Sequence, residues 1–336
     1  NHYLQLRLVE IQAITLSPCF LIFHRIILPQ KIISLILVIN RENHMIISRS
    51  PLRLSLGGGG TDLPSYYRDH EGFLIAASID KYVYTTVMRP FSKGIYLKYS
   101  QIENVNTTNE VRHPIIRESL NALNFDSEQI EITSLADIPA GTGLGSSGSF
   151  TTSLLKSLHA FKRQNIHQEE LAALACEIEI NRLGEPIGKQ DQYACSVGGL
   201  NLISFSKENT VEIKKIDISN SNLEQIQKNL FLYYTNLNRK ASDILTEQKI
   251  NTKSETKSIN NLIKMTQMAY DLEKSLKCGS IDDLGFMLNE SWQLKKQLAS
   301  NISNNTIDEL YEFGINSGAI GGKLLGAGGG GFVLFY

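Results

Sequence analysis

The sequence predicts a two-domain α+β protein, and three observations predict it. The chain has 336 residues, 42% hydrophobic and 20% charged, enough for about two domains with cores of their own. From Met45 to about Phe205, short apolar runs alternate with glycine turns, the texture of strands and short helices. From about Val211 the apolar spacing becomes that of long helices, ending in the run Gly326-Ala327-Gly328-Gly329-Gly330-Gly331 and a last apolar stretch. Domains are therefore expected over 45–210 and 211–336, joined near residues 206–215.

Residues 1–44 read as upstream sequence or an unrelated extension outside the fold, with Met45 as the natural start. The apolar stretch from Ile11 to Ile39 is broken by His24-Arg25 and by Pro29-Gln30-Lys31, which leaves no run near the roughly 20 residues a membrane helix requires. No small-residue cleavage site precedes Met45, as a signal peptide would need. At the other end, 331–336 reads as a strand that stops with the chain; whether the last sheet is complete stays open, and a lost terminal strand would expose a sheet edge.

In order along the chain, Met45–Leu56 and Gly72–Met88 are expected as strands, the second carrying Tyr82, Val83, Tyr84 and Val87. Ile130–Leu135 is a third strand. Phe150, Leu154, Leu155, Leu158 and Phe161 fall at helical spacing, so the glycine-rich segment before them opens onto a helix. Gln168–Leu183 forms a second helix with Leu171, Leu174, Ala175 and Ile178 on one face, ended by Gly184 and Pro186. Ala241–Lys277, Ile281–Leu298 and Thr306–Ser317 follow as helices. No repeat of 20–50 residues is present.

A net charge of -1, with Lys and Arg scattered rather than striped, argues against nucleic acid or an anionic membrane as partner. Cys19, Cys176, Cys195 and Cys278 lie far apart, with no C-x-x-C pair and no histidine at ligand spacing. That is the usage of reduced cytosolic thiols and argues against a zinc site or disulfide framework.

Chemistry concentrates in three glycine-rich segments. The central one, PAGTGLGSSGS (139–149), enters a helix, where free backbone N–H groups and the positive end of the helix dipole favour an anion. Gly143, Gly145 and Gly148 satisfy G-x-G-x-x-G. A dinucleotide turn, however, follows its strand immediately and has an acid at the end of the next strand; here Asp137-Ile138-Pro139-Ala140 intervenes, and Glu169 and Glu170 begin a helix. Neither Gly188-Lys189-Gln190 nor Gly322-Lys323-Leu324 completes a Walker A loop. Any nucleotide site is of another type. SPLRLSLGGGGTDLP (50–64) places Arg53 on a strand and Asp62 just after four glycines, suited to a hydroxyl-rich ligand against the backbone; read as plain structure, Asp62 is a helix cap. GEPIGKQDQYA (184–194) puts Asp191 in a glycine-flanked turn, where a carboxylate takes a proton, orients a hydroxyl, or merely decorates a surface turn.

Taken together, SPLRLSLGGGGTD, PAGTGLGSSGS and KLLGAGGGG (323–331) resemble, in order, the three motifs of the GHMP kinases, a family named for galactokinase, homoserine kinase, mevalonate kinase and phosphomevalonate kinase. The resemblance spans 45–336. It implies an N-terminal domain like domain 2 of ribosomal protein S5 and a ferredoxin-like C-terminal domain. GGGGTDLPSYY looks most like the branch acting on D-glycero-D-manno-heptose 7-phosphate, which phosphorylates an anomeric oxygen and feeds nucleotide-activated heptose in the cytoplasm.

Carried over residue by residue, the resemblance makes Pro139, Gly141, Gly143, Leu144, Gly145, Ser146, Ser147 and Gly148 the cradle for ATP. Ser147, or Ser146, would meet Mg²⁺ with Glu179, which matches the family's metal-binding Glu if one extra residue is allowed before Asp191; Glu177 is its rival. Asp191 would take the proton of the sugar's C1 hydroxyl or hold that hydroxyl, and Arg53 would stabilise charge near the transferring phosphoryl group. Gly60, Thr61, Asp62, Gly328 and Gly329 would contact the sugar. Galactokinases carry Glu and His where Gly59 and Gly60 stand, which implies more room and a substrate other than galactose. Lys323 is a candidate for the sugar's distal phosphate, or a solvated turn lysine. The expected partners are a sugar phosphate and ATP; fucose is the alternative acceptor, and a non-catalytic sugar and nucleotide sensor the alternative class.

Overall fold

The computed structural model describes residues 45–125, 129–237 and 241–336, so the expectation for 1–44 lies outside the described residues. In chain order the first part comprises β1 (Ile46–Gly57), α1 (Pro64–His70), β2 (Gly72–Met88), β3 (Ile95–Lys98), β4 (Ile102–Val105), α2 (Pro114–Ala122), β5 (Ile130–Ala136), α3 (Ser146–Phe161) and α4 (Gln168–Cys176). A π-helical turn over Glu177–Arg182 leads to α5 (Gln190–Val197), β6 (Leu200–Phe205) and β7 (Val211–Lys215). The second part comprises α6 (Asn220–Asn229), β8 (Phe231–Tyr234), α7 (Ala241–Ser254), α8 (Thr256–Cys278), α9 (Asp283–Lys295), α10 (Asn305–Asn316), β9 (Gly322–Leu324) and β10 (Phe332–Phe335).

The long strand β2 organises the first sheet. Its end half pairs with β5, its start with β6, and β1 runs antiparallel along its length. The order is β4-β3-β5-β2-β6-β7, with only β3 and β5 parallel. Pro51 has no N–H to give the ladder, and the β1 register slips between Pro51 and Arg53, as proline in a strand interior demands. Helix α3 lies across β1 and β2 and also packs on α5 and α4. The second sheet is antiparallel, in the order β8-β10-β9.

One continuous core joins the two parts. Leu52, Leu54 and Leu56 of β1 pack with Leu272 and Leu276 of α8, Leu284 and Leu288 of α9, and Leu334 of β10. A second cluster surrounds Trp292, Tyr311 and Phe335. Cys176 and Cys195 are buried and Cys278 exposed.

The sequence-based elements hold with four differences. Strand β7 pairs with β6 in the first sheet, so the change of texture near 211 falls one strand before the sheet ends. The helix expected over Ala241–Lys277 is broken at Glu255, which is extended (φ -119, ψ 115). The local sequence Asn251-Thr252-Lys253-Ser254 is poor in strong helix formers. The helix expected over Gln168–Leu183 turns π-helical from Glu177. Asp191 sits in the first turn of α5 rather than in an open turn. The short strands β3, β4 and β6 to β9 carry no alternation long enough to announce them.

Replacing Leu334, fully buried between the two parts, with Ala should destabilise the protein by about 2–5 kcal/mol. Urea unfolding checks this, and an unshifted midpoint would mean that the shared core is not continuous.

Candidate active site

Loop 141–148, the first glycine run, the start of α5 and the last glycine run surround a cleft of about 360 Å³. Arg53 is its anchor. Buried on β1, its backbone N–H donates to Leu144 O at 2.9 Å, and its Nη1 donates to Gly143 O at 2.6 Å. Its Nη2 and Nε reach one oxygen of Asp191, Oδ1, at 2.7 and 2.8 Å. Asp191 Oδ2 has no side-chain or backbone partner among the described residues and is left to a ligand.

The glycines of the loop follow from that ion pair. A Cβ on Gly145 would lie 2.9 Å from Arg53 Cγ, and one on Gly148 would lie 2.8 Å from Asp191 Cβ. Gly145 also takes a left-handed conformation (φ 74) as the residue before α3, which glycine adopts without steric penalty. Helix α3 therefore starts at Ser146, with its first N–H groups turned into the cleft. Gly141, Gly143, Ser146 and Ser147 line the cleft as expected. Two cradle residues do not. Leu144 is wholly buried in the shared core, and Pro139 is exposed, its carbonyl accepting from Thr142 Oγ1 at 3.0 Å. Both instead support the loop from outside the cleft lining.

Ser147 Oγ donates a short hydrogen bond to Glu179 Oε1, and Gln192 Nε2 donates to Glu179 Oε2 at 2.5 Å. Burial pushes the Glu179 carboxyl up to about 7. The π-helical turn explains the extra residue before Asp191: such a turn absorbs one additional residue, here with Leu183 N–H bonded to Ile178 O and Glu185 N–H to Glu179 O. Glu179 points inward, while Glu177 stays at the surface with Asn181 and Arg182. The Ser147 hydroxyl on the cleft wall thus lies against the Glu179 carboxylate buried behind it, two hard oxygens next to an anion-binding loop. That donor set fits Mg²⁺, which binds through one or two carboxylates plus phosphate oxygens.

On the opposite wall Asp62 is buried, its carboxylate accepting from Gly60 N–H at 3.2 Å and Gln190 N–H at 3.1 Å. It does not cap α1, whose N-cap is Leu63 without a side-chain bond. Burial raises its pKa, opposed by the Gln190 N–H. Gly188 packs directly on the carboxylate, leaving no space for a Cβ. Thr61 departs from expectation: wholly buried, its hydroxyl donates to Gly58 O at 2.7 Å and Phe73 O at 3.1 Å, so it braces the turn. The room expected at Gly60 is filled by Gln248 of α7, whose Nε2 would lie 2.7 Å from a Cβ there.

In the last glycine run, Gly326 packs on Gly143 and Gly331 on Thr142 O. Gly328 and Gly330 line the cleft. Gly329, expected at the sugar, instead donates its N–H to Ile302 O at 2.9 Å. Lys323 is no turn lysine: it lies in β9, 2% exposed, and lines the cleft.

Sequence reasoning missed Ser55, Gln190, Gln248 and Lys295, all in the cleft wall. Ser55 Oγ and Gln190 Nε2 are buried without a partner among the described residues, just beneath the cleft surface. Ser55 was within reach, being two residues from Arg53 on the same strand face. Nothing in the local sequence marks Lys295 or Gln248.

Fold and cleft together present a glycine loop packed against an Arg–Asp pair, the arrangement expected of a phosphotransferase. The GHMP kinases N terminal domain matches residues 111–199 and the GHMP kinases C terminal domain 268–335. D-glycero-alpha-D-manno-heptose 7-phosphate kinase of Campylobacter jejuni is 30% identical over 87% of this chain and 89% of its own. The chain belongs to the GHMP kinase family, as an ATP-dependent phosphotransferase of the sugar kinase kind. Among other relatives, the bifunctional fucokinase/GDP-fucose pyrophosphorylase of Arabidopsis thaliana is 25% identical over 84% of this chain and 29% of its own. Among solved structures, a D-glycero-D-manno-heptose 1-phosphate kinase from Bacteroides thetaiotaomicron superposes with a TM-score of 0.70 at 25% identity, covering 87% of this chain and 88% of that one. No helix among the described residues is long and apolar enough to cross a membrane.

Burial, reinforced by the charge of Arg53, pushes Lys323 down to about 7 from its usual 10.5. Between these values the unfolded chain binds the additional proton, so this group's contribution to stability rises with pH across that window and is most unfavourable below about 7. Lys323→Met should therefore melt higher than the wild type near pH 7, with the gap closing toward pH 10. Thermal melts of both proteins across that range check it, and a pH-independent difference would contradict it.

Proposed function

We propose that the protein transfers the terminal phosphoryl group of ATP to the anomeric C1 hydroxyl of D-glycero-D-manno-heptose 7-phosphate, giving the 1,7-bisphosphate. The observation that carries this reading is the unpartnered Asp191 Oδ2, held in the cleft by Arg53 beneath the glycine loop. The resemblance of the first motif to the heptose branch and the Campylobacter jejuni relative support the choice of sugar.

In this reading the N–H groups of loop 141–148 and of the start of α3 receive the nucleotide phosphates. Ser147 and Glu179 would hold Mg²⁺, whose chemistry there would be neutralisation of phosphate charge. Asp62, with Ser55 and Gln190, orients the sugar through its hydroxyls. Asp191 Oδ2 accepts the hydrogen bond of the C1 hydroxyl and takes its proton, or holds that hydroxyl as charge develops. Arg53 fixes the carboxylate and offsets negative charge near the phosphoryl path, where fixed cations act most strongly. Cytoplasm, with its ATP pool, is the compartment we assign.

Fucose is the second acceptor to test, because the Arabidopsis thaliana relative is named a fucokinase. Coupled ADP-release assays with Mg·ATP, run against heptose 7-phosphate, mannose, fucose, galactose and mevalonate, should show turnover on the heptose phosphate. Asp191→Asn should keep nucleotide-induced thermal stabilisation and lose turnover by about 10²–10⁴-fold. Near-normal turnover by this variant would remove Asp191 from the chemistry.

A further inference from the structure

The cleft contains more positive charge than the chemistry above employs. Arg53 is paired with Asp191, but two lysines on the second part of the chain face the same space. Lys323 of β9 makes no side-chain hydrogen bond or ion pair with any described residue, although it is 2% exposed. Lys295, at the end of α9, is half-buried as a residue. Its ammonium is enclosed by carbonyls, donating to Leu324 O at 2.9 Å and to Gly326 O at 2.5 Å. Among the described residues neither has an acidic partner. Burying one uncompensated cation is costly, and burying two that repel each other, beside a buried arginine, is more so. Burial and the neighbouring charges depress both ammonium groups, Lys295 well below its usual value.

Such an arrangement persists where a ligand supplies the missing charge. Of the cleft's carboxylates, Asp62 is engaged by two backbone N–H groups and Asp191 by Arg53, and the third, Glu185, is exposed and makes no ion pair with either lysine. The nucleotide loop has its own donors at the start of α3. The lysines line the cleft beside the last glycine run, whose Gly326 packs on Gly143 of the loop.

We propose that Lys323, backed by Lys295, seats a phosphate group in the cleft and thereby makes the enzyme select an acceptor that already carries a phosphate. This rests on the sugar-kinase reading above and assigns to it the residues that tell a sugar phosphate from a free sugar. Lys323 is the direct donor. Lys295 ties the seat to the carbonyls of the last glycine run. The same phosphate chemistry could be presented by the acceptor or by the phosphoryl group in transit, and the two leave different kinetic traces.

The test compares Lys323→Met, which keeps length and apolar volume, with wild type. In the first arm, inorganic phosphate is titrated while melting is followed without nucleotide or sugar. Wild type should be stabilised at a phosphate concentration about 10- to 100-fold lower than the variant needs, the equivalent of one charge-assisted hydrogen bond. In the second arm, a KM for heptose 7-phosphate raised by a similar factor, with kcat on that acceptor changed far less, assigns the seat to the acceptor's phosphate. A fall in kcat that is equal on phosphorylated and unphosphorylated acceptors assigns it to the group in transit and overturns the selection of phosphorylated acceptors. Equal phosphate stabilisation of the two proteins together with unchanged kinetics overturns the seat itself. If wild type phosphorylates none of the sugars yet its phosphate stabilisation depends on Lys323, the sugar-kinase reading fails and the seat stands.

Discussion

Arg53 is the interaction on which the site depends. One guanidinium, buried at an irregularity of β1, bonds a loop carbonyl and one oxygen of Asp191, while its backbone N–H bonds the next loop carbonyl. It thereby fixes three segments distant in sequence: the first strand, the phosphate loop and the start of α5. A lysine could reach one of these acceptors but not span them, because its ammonium is a point charge without the planar fork. The pairing through Oδ1 alone leaves Oδ2 exposed to the cleft, so one contact both orients the carboxylate and keeps it available.

The glycines follow from this packing rather than from looseness. Gly145 and Gly148 lie against Arg53 and Asp191, and Gly326 and Gly331 of the last run press against Gly143 and Thr142. Backbone meets backbone where any side chain would force the two parts of the chain apart. The shared core behind them, from Leu52 to Leu334, supplies the apolar burial that holds this contact closed. The cleft thus lies where the first loop and the last glycine run press together, and it holds loop N–H groups and hydroxyls together with the ammonium groups of Lys295 and Lys323.

Much of this was legible in the sequence because close backbone approach leaves glycine no substitute, so the three glycine-rich segments stood out. Arg53, Asp191 and Ser147 were readable at their motif spacings, and Glu179 once an extra residue was allowed; the structure brings the first three to one cleft, with Glu179 buried behind Ser147. What escaped has physical reasons. Lys295 and Gln248 lie on ordinary amphipathic helices, and only tertiary packing turns them inward. Thr61, Leu144 and Gly329 sit within the motifs yet face the protein interior, because a motif names a segment and not the direction of each side chain. The π-helical turn at Glu177 has no composition of its own, and β3, β4 and β9 are too short for alternation to register. Glu255 broke an expected helix where weak helix formers cluster.

The central claim is that Arg53 and Asp191 act as one unit in phosphoryl transfer. The most direct measurement is a double-mutant cycle on kcat/KM with Arg53→Met, Asp191→Asn and the double variant, each shown to be folded by its melt. Groups that act as a unit are strongly non-additive, so the account predicts a double variant about as slow as the slower single one. Independent losses that multiply would contradict it and leave Arg53 as a structural support for the loop alone.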